Sequence, residues 1–276
     1  MLEVNILGCG SSLGVPVIGC SCLVCKSDSP YNKRLRSSII ISQNETRVLV
    51  DFGFNIREQL INSGIYHLDA AILTHEHADH LSGIDELRVF FYIHGQPLNV
   101  FILESIAPLI FERYKYLFDS GLLKMNIVNE FQEIKVNNTI FQLFPQIHGT
   151  IKSLGIRIEE FVYSCDVSSI SVESEKYLYN TKVWVVDCVD YKSTIKHAGL
   201  ERVFEWVEKY VPEKVYLTNM SHNIDYHEII TKMPPHISPL YDGFKIKHYL
   251  YSICVYKILA IDLKVRYSSS EILIKY

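Results

Sequence analysis

The stretch that decides the reading is Leu73-Thr-His75-Glu-His77-Ala-Asp79-His80. It follows Ala70–Leu73, a short apolar run that reads as a buried strand. Within six positions the chain then offers three imidazoles and one carboxylate. On an extended segment alternate side chains share a face, so His75 and His77 can grip one ion together. Asp79 and His80 then turn toward a second, neighbouring position. Neutral imidazole and carboxylate are the usual ligands of Zn²⁺ and similar divalent ions. A lone histidine is more often a satisfied polar residue than a ligand, but this density directly after a buried strand points to metal. The stretch supplies half of a two-ion centre. Three later residues sit where strands give way to loops and qualify as the rest: His148 after Ile140–Phe144, Asp166 after Phe161–Cys165, and His222 after Val215–Thr218.

Around this stretch, short β-branched runs recur at Val4–Leu7, Ser38–Ser42, Val48–Asp51 and Leu98–Leu103. Helical periodicity falls at Ile56–Ile61, Gly83–Ile93 and Leu200–Tyr210. Residues 125–166 read as consecutive strands, with turns at Asn137-Asn138, His148-Gly149 and Glu159-Glu160. Strands at Lys182–Asp187 and Lys214–Thr218 follow. Antiparallel runs mixed with helices predict an α+β protein with sheets covered by helices. Residues 8–36 form a long loop rich in Gly, Ser, Pro and Cys, which implies either function or a tether.

The 276 residues can bury a sizeable core. Hydrophobic residues make up 48% and charged residues 21%, which argues against long disorder. Lys plus Arg number 27 against 31 Asp plus Glu, a formal charge of -4, which argues against a broad basic field for long nucleic acid. No uncharged run approaches the roughly 20 residues of a membrane span, and the N-terminus does not read as a signal peptide. The expectation is a cytoplasmic protein without a membrane partner. Seven cysteines, three of them within residues 20–25, favour metal or free thiols over a disulfide framework. Cys20, Cys22 and Cys25 together suit a tetrahedral zinc that needs a fourth ligand from elsewhere.

Two further patterns are discounted. Gly10-Ser-Ser12-Leu-Gly14 fits a serine-hydrolase elbow but lacks the helix that must follow the serine. Gly8-Cys-Gly10 lacks the third glycine spacing of a dinucleotide fingerprint. Lys33, Arg34 and Arg36 form a small basic cluster that fits either a solvated loop face or a phosphate clamp.

Taken together, His75–His80 with His148, Asp166 and His222 resembles the metallo-β-lactamase superfamily of binuclear hydrolases. The fuller resemblance is to its phosphodiesterase branch, typified by phosphoribosyl cyclic phosphate phosphodiesterase. It is carried by Gly8–Pro16, Cys20-x-Cys22-x-x-Cys25, Asn32–Ser38, Ile84–Arg88, Thr218–His222, Asp225-Tyr226 and Tyr241–Gly243. It covers roughly residues 1–245 and implies a four-layer αββα sandwich. Residues 1–244 are then the hydrolase domain, and 245–276 an extension of unassigned role.

The resemblance implies one cation on His75, His77 and His148, another on Asp79, His80 and His222, and Asp166 bridging. Two such ions, Zn²⁺ or Mn²⁺, would make a shared water available as hydroxide and neutralise phosphate oxygens. Asp79 is a catalytic candidate as well as a ligand. His197, oriented by Asp187, matches a group near the leaving atom, against the plainer reading of an exposed helix-start residue. The resemblance also implies a structural zinc on the cysteines, closed by His227 or Asp225, with His227 favoured as the commoner partner for three thiolates. The implied substrate is a small, cyclic or nucleotide-like phosphodiester. The alternative is a transfer-RNA 3′-processing endonuclease, weakened by the charge balance and by the lack of a Gly- and Lys-rich arm. Thioester or lactam hydrolysis ranks lower, and the oligomeric state stays open, with a dimer compatible.

Overall fold

The computed structural model describes residues 1–248. Among these residues, fourteen strands form two seven-stranded sheets. The first contains β1 (Leu2–Gly8), β2 (Ser38–Gln43), β3 (Thr46–Val50), β4 (Ala70–Ile72), β5 (Leu98–Leu103) and β6 (Leu123–Val128), with β14 (Lys245–His248) on the far edge. The second contains β7 (Glu133–Val136), β8 (Thr139–His148), β9 (Ile151–Ile158), β10 (Phe161–Ser164), β11 (Val183–Asp187), β12 (Lys214–Thr218) and β13 (Ile237–Pro239).

Alternation along the strands assigns the layers. Ile39 and Ile41 of β2 and Val48 and Val50 of β3 face the second sheet, where they meet Leu143, Ile156 and Tyr163. Ile40 and Leu49, one residue out of step, face outward instead. There they meet Leu60 of helix Ile56–Ser63, Phe90 of Val89–His94 and Ile110 of Ala107–Arg113. Helix Leu200–Tyr210 covers the second sheet with Leu200, Val203, Trp206 and Tyr210, a helical stripe. The result is the expected α+β, four-layer αββα sandwich.

This topology gathers the chemistry at one edge. Strands β10, β11 and β12 are parallel, and β8 runs the same way because β9 reverses between them. Their C-terminal ends therefore emerge together, carrying His148, Asp166, Asp187 and Asn219. Strands β3 and β4 are also parallel and deliver Asp51 and His75 in the same manner.

Two expectations change. His148 does not follow a strand ending at Phe144; it is the last residue of β8, which continues through Pro145. The neighbouring β7 stops opposite Gln142, so Pro145 lies where that side of the strand has no ladder to break. The boundary placed between residues 244 and 245 falls too early, because Lys245 and Ile246 pair with Asn5 and Val4 of β1. The rest of the 245–276 extension lies outside the described residues. No described helix is long and apolar enough to cross a membrane.

Candidate metal centre

His75, His77, His148 and Asp166 form one cluster, with one donor atom of each within 4.8 Å of the others. His75 Nε2 and His148 Nε2 approach His77 Nδ1 to 2.9 and 3.1 Å. Both also lie 3.3 Å from Asp166 Oδ2. The outer nitrogen of His148 donates to the Lys196 carbonyl at 2.7 Å, so its Nε2 lone pair is turned inward. Burial pushes His148 down to about 4 and lowers His77 as well, which keeps both imidazoles neutral and ready to ligate.

Asp166 Oδ2 also faces the next group. His80 Nε2 lies 3.4 Å from it and 3.3 Å from Asp79 Oδ2. His80 Nδ1 donates to Asp51 Oδ2 at 2.7 Å. Burial opposes charge on His80, but Asp166 and Asp51 outweigh it and hold the imidazole well above its ordinary value. Its Nε2 is buried without a hydrogen-bond partner, between two carboxylates. That is a place where positive charge is drawn in, and the donor set fits a divalent cation taking the place of the proton.

The supports were only partly visible in the sequence. Asp51 accepts from the Thr74 amide and hydroxyl as well as from His80, and so aims the start of the histidine segment. A carboxylate ending the apolar run Val48–Val50 was the available signal. Gly53 is required by the same packing: a Cβ there would fall 1.7 Å from the Asp79 carbonyl oxygen. Asp51, Asp166 and Asn219 all adopt left-handed backbone, at φ 62°, 52° and 60°, which short polar side chains tolerate and which clusters at functional sites.

Beside the cluster, His197 Nδ1 lies 2.9 Å from Asp187 Oδ2. Burial disfavours its charge, yet Asp187 raises it to about 9. Burial holds Asp187 itself above the ordinary carboxylate value. Asn219 Nδ2 donates to Asp166 Oδ1 at 2.8 Å and Asp187 Oδ1 at 3.1 Å, tying the shared carboxylate to this pair. Sequence reasoning had passed over Asn219 in favour of His222, three residues on.

His222 is the main correction. It does not join Asp79 and His80. Its Nδ1 lies 3.2, 3.5 and 3.6 Å from the sulfurs of Cys20, Cys22 and Cys25, making a cysteine-histidine cluster of the zinc type. His227 therefore does not close that cluster; its Nε2 meets Ser29 Oγ at 2.9 Å. Asp225 is also engaged elsewhere, capping helix Tyr226–Lys232 and accepting from Asn32. The reason is local. Arg34, buried, donates to the carbonyls of Ser221 and Ile224 and fixes the turn that aims His222 at the cysteines. Arg34 is thus structural; Arg36 bonds Ser12 and Asn55. The Cys25 amide donates to Cys22 Sγ and pulls that thiol down to about 6.

The sequence model of the Beta-lactamase superfamily domain matches residues 46–220. The chain is 31% identical over 249 residues to an octanoyltransferase of Porphyromonas gingivalis, a match covering 87% of this chain and 50% of that protein. It thus spans half the length of that relative. Among solved structures, a diphosphatase of the PhnP family superposes with a TM-score of 0.85 at 31% identity, covering 91% of this chain and 99% of that one. Zn²⁺-bound PqqB from Methylobacterium extorquens shares the fold, with a TM-score of 0.76 at 16% identity over 89% of this chain and 100% of that one. With the domain model spanning more than half of its length, the chain belongs to the metallo-β-lactamase superfamily, in its phosphodiesterase branch.

Proposed function

We propose that this protein is a metal-dependent hydrolase of small phosphodiesters, cyclic or nucleotide-like, working with two cations at one edge of the sandwich. The observation that carries the reading is Asp166 Oδ2, a single carboxylate oxygen 3.3–3.4 Å from nitrogens of His75, His148 and His80, and so common to both donor groups. One cation would rest on His75, His77, His148 and Asp166, the other on Asp79, His80 and Asp166. Bound there, Zn²⁺ or Mn²⁺ supplies charge for phosphate oxygens and acidifies water. A third ion, zinc, would sit on Cys20, Cys22, Cys25 and His222 and tether the long N-terminal loop.

The chain's own groups do the rest. Asp51 and the Lys196 carbonyl take the outer protons of His80 and His148 and fix the tautomers that face inward. His197, held protonated by Asp187, is placed to give a proton from its outer nitrogen to the departing alkoxide. The similarity to a PhnP-family diphosphatase supports a phosphorus substrate.

The test is turnover by purified protein supplied with Mn²⁺ or Zn²⁺, on a cyclic phosphodiester, an aryl phosphodiester and precursor transfer RNA, with His77→Ala as the blank. Cleavage of the two small diesters with the RNA left whole is expected. Activity on all of them no greater than the blank overturns the reading.

A further inference from the structure

The displacement of His222 leaves the two cation positions unlike each other. The first has four donors: His75, His77, His148 and Asp166. The second, among the described residues, has Asp79, His80 and a shared Asp166 oxygen. The residue at the exit of β12 that reaches this region is Asn219, and the end of its amide turned toward Asp166 is the NH₂ group, which offers no lone pair. Its Nδ2 is directed at Asp166 Oδ1 and Asp187 Oδ1. Flipping the amide would set its carbonyl oxygen against both carboxylates, so the donor end stays inward. Cys165 also lies within reach of His80 and Asp166, but its thiol donates to Asp166 Oδ1 at 3.4 Å.

We propose that the protein binds its two catalytic-edge cations unequally: one firmly at His75–His77–His148–Asp166, and one loosely at Asp79–His80–Asp166, where Asn219 leaves a corner open to water or to an oxygen of the phosphodiester. The inference deepens the proposed function and rests on it for the nature of that oxygen; the inequality itself rests on the donors alone. The second cation then exchanges freely, and substrate supplies part of its coordination. Asn219 is a positioning residue here: it holds Asp166 and Asp187 and withholds a ligand.

Mn²⁺ reports on these positions without interference from the cysteines, because it favours oxygen and nitrogen over thiolate. Chelator-dialysed, refilled wild type is titrated with Mn²⁺ and followed by electron paramagnetic resonance. The expected result is an isolated bound ion up to one equivalent. Signals of an interacting pair appear only in excess, with dissociation constants separated by roughly 100-fold or more, the upper range for losing even a supporting group. Asn219→His, which restores an imidazole donor, should narrow the gap; Asn219→Ala, which restores none and loosens the shared Asp166, should weaken both ions without narrowing it. An interacting pair at less than one equivalent of Mn²⁺ in wild type overturns the proposal. So does a tight second ion that Cys165→Ser releases, which would give the corner to that thiol. A protein inert toward every phosphodiester yet showing the unequal titration would sink the proposed function and leave this inference standing.

Discussion

Replacing Asp187 by Asn should move the alkaline limb of the pH–rate profile. Asp187 raises His197 from the ordinary 6.5 to about 9 against the opposing effect of burial. Without the carboxylate, burial is opposed only by the more distant Asp166 and Asp79, and the imidazole falls toward its ordinary 6.5. For a complete fall to 6.5, the protonated fraction at pH 8 drops from about nine-tenths to about three-hundredths, so the loss in kcat/KM is at most roughly 30-fold and disappears below pH 6. Bound cations lower both limbs together, so the separation between the two proteins is the quantity to read. The same pair affects stability. Because the folded value is raised, its contribution is fully present below pH 6.5 and is lost as pH climbs through 9. It amounts to roughly 3 kcal/mol at most, from ~1.36 kcal/mol per pH unit. The substitution keeps an oxygen for the Val167 amide but sets its NH₂ group against the Asn219 amide that donates to Asp187 Oδ1, so folding is checked by denaturant midpoint alongside the rates. The assay is kcat/KM on an aryl phosphodiester from pH 5.5 to 10, with metal content checked. Coincident limbs in wild type and variant would remove His197 as the proton donor.

Two other substitutions bear on the centres. Gly53→Ala sets a methyl group against the Asp79 backbone, where no rotamer offers escape, and should cost about 3 kcal/mol by denaturant midpoint and weaken binding at Asp79 and His80; Gly64→Ala, with open space around it, should cost only the left-handed backbone, about 1–2 kcal/mol. Cys22→Ser and His222→Ala should each release one zinc per chain by elemental analysis and speed proteolysis within residues 11–29, whereas His227→Ala should release none; an unchanged zinc count in His222→Ala would refute the four-residue cluster.

Much of the architecture was legible because it depends on short-range pattern. The alternation of Ile39, Ile40 and Ile41 is enough to call for a sheet apolar on both faces, and Asn137-Asn138 and Glu159-Glu160 mark turns the chain makes. The His75–His80 run announced metal because its donors are adjacent in sequence. What was hidden depends on the third dimension. His222 and His227 are both histidines soon after β12, and spacing cannot say which one meets cysteines some 200 positions earlier. Asp51 reads as the end of a strand until the structure sets it against His80.

The segment from Thr218 to Asp225 explains why the assignment slipped and why it matters. Asn219 leaves β12 in left-handed backbone and turns its side chain to Asp166, while the Met220 amide and carbonyl pair with Cys9 and Ser11 of the N-terminal loop. The buried Arg34 guanidinium then clasps the carbonyls on either side of His222. One short stretch thus serves two centres, with Asn219 facing the hydrolytic edge and His222 the cysteines. A zinc held by Cys20, Cys22, Cys25 and His222 would therefore fix a histidine only three residues from Asn219. The loop that carries the cysteines and the residue that faces Asp166 are thus joined through one short segment, pinned by the Met220 pairing with Cys9 and Ser11 and by Arg34.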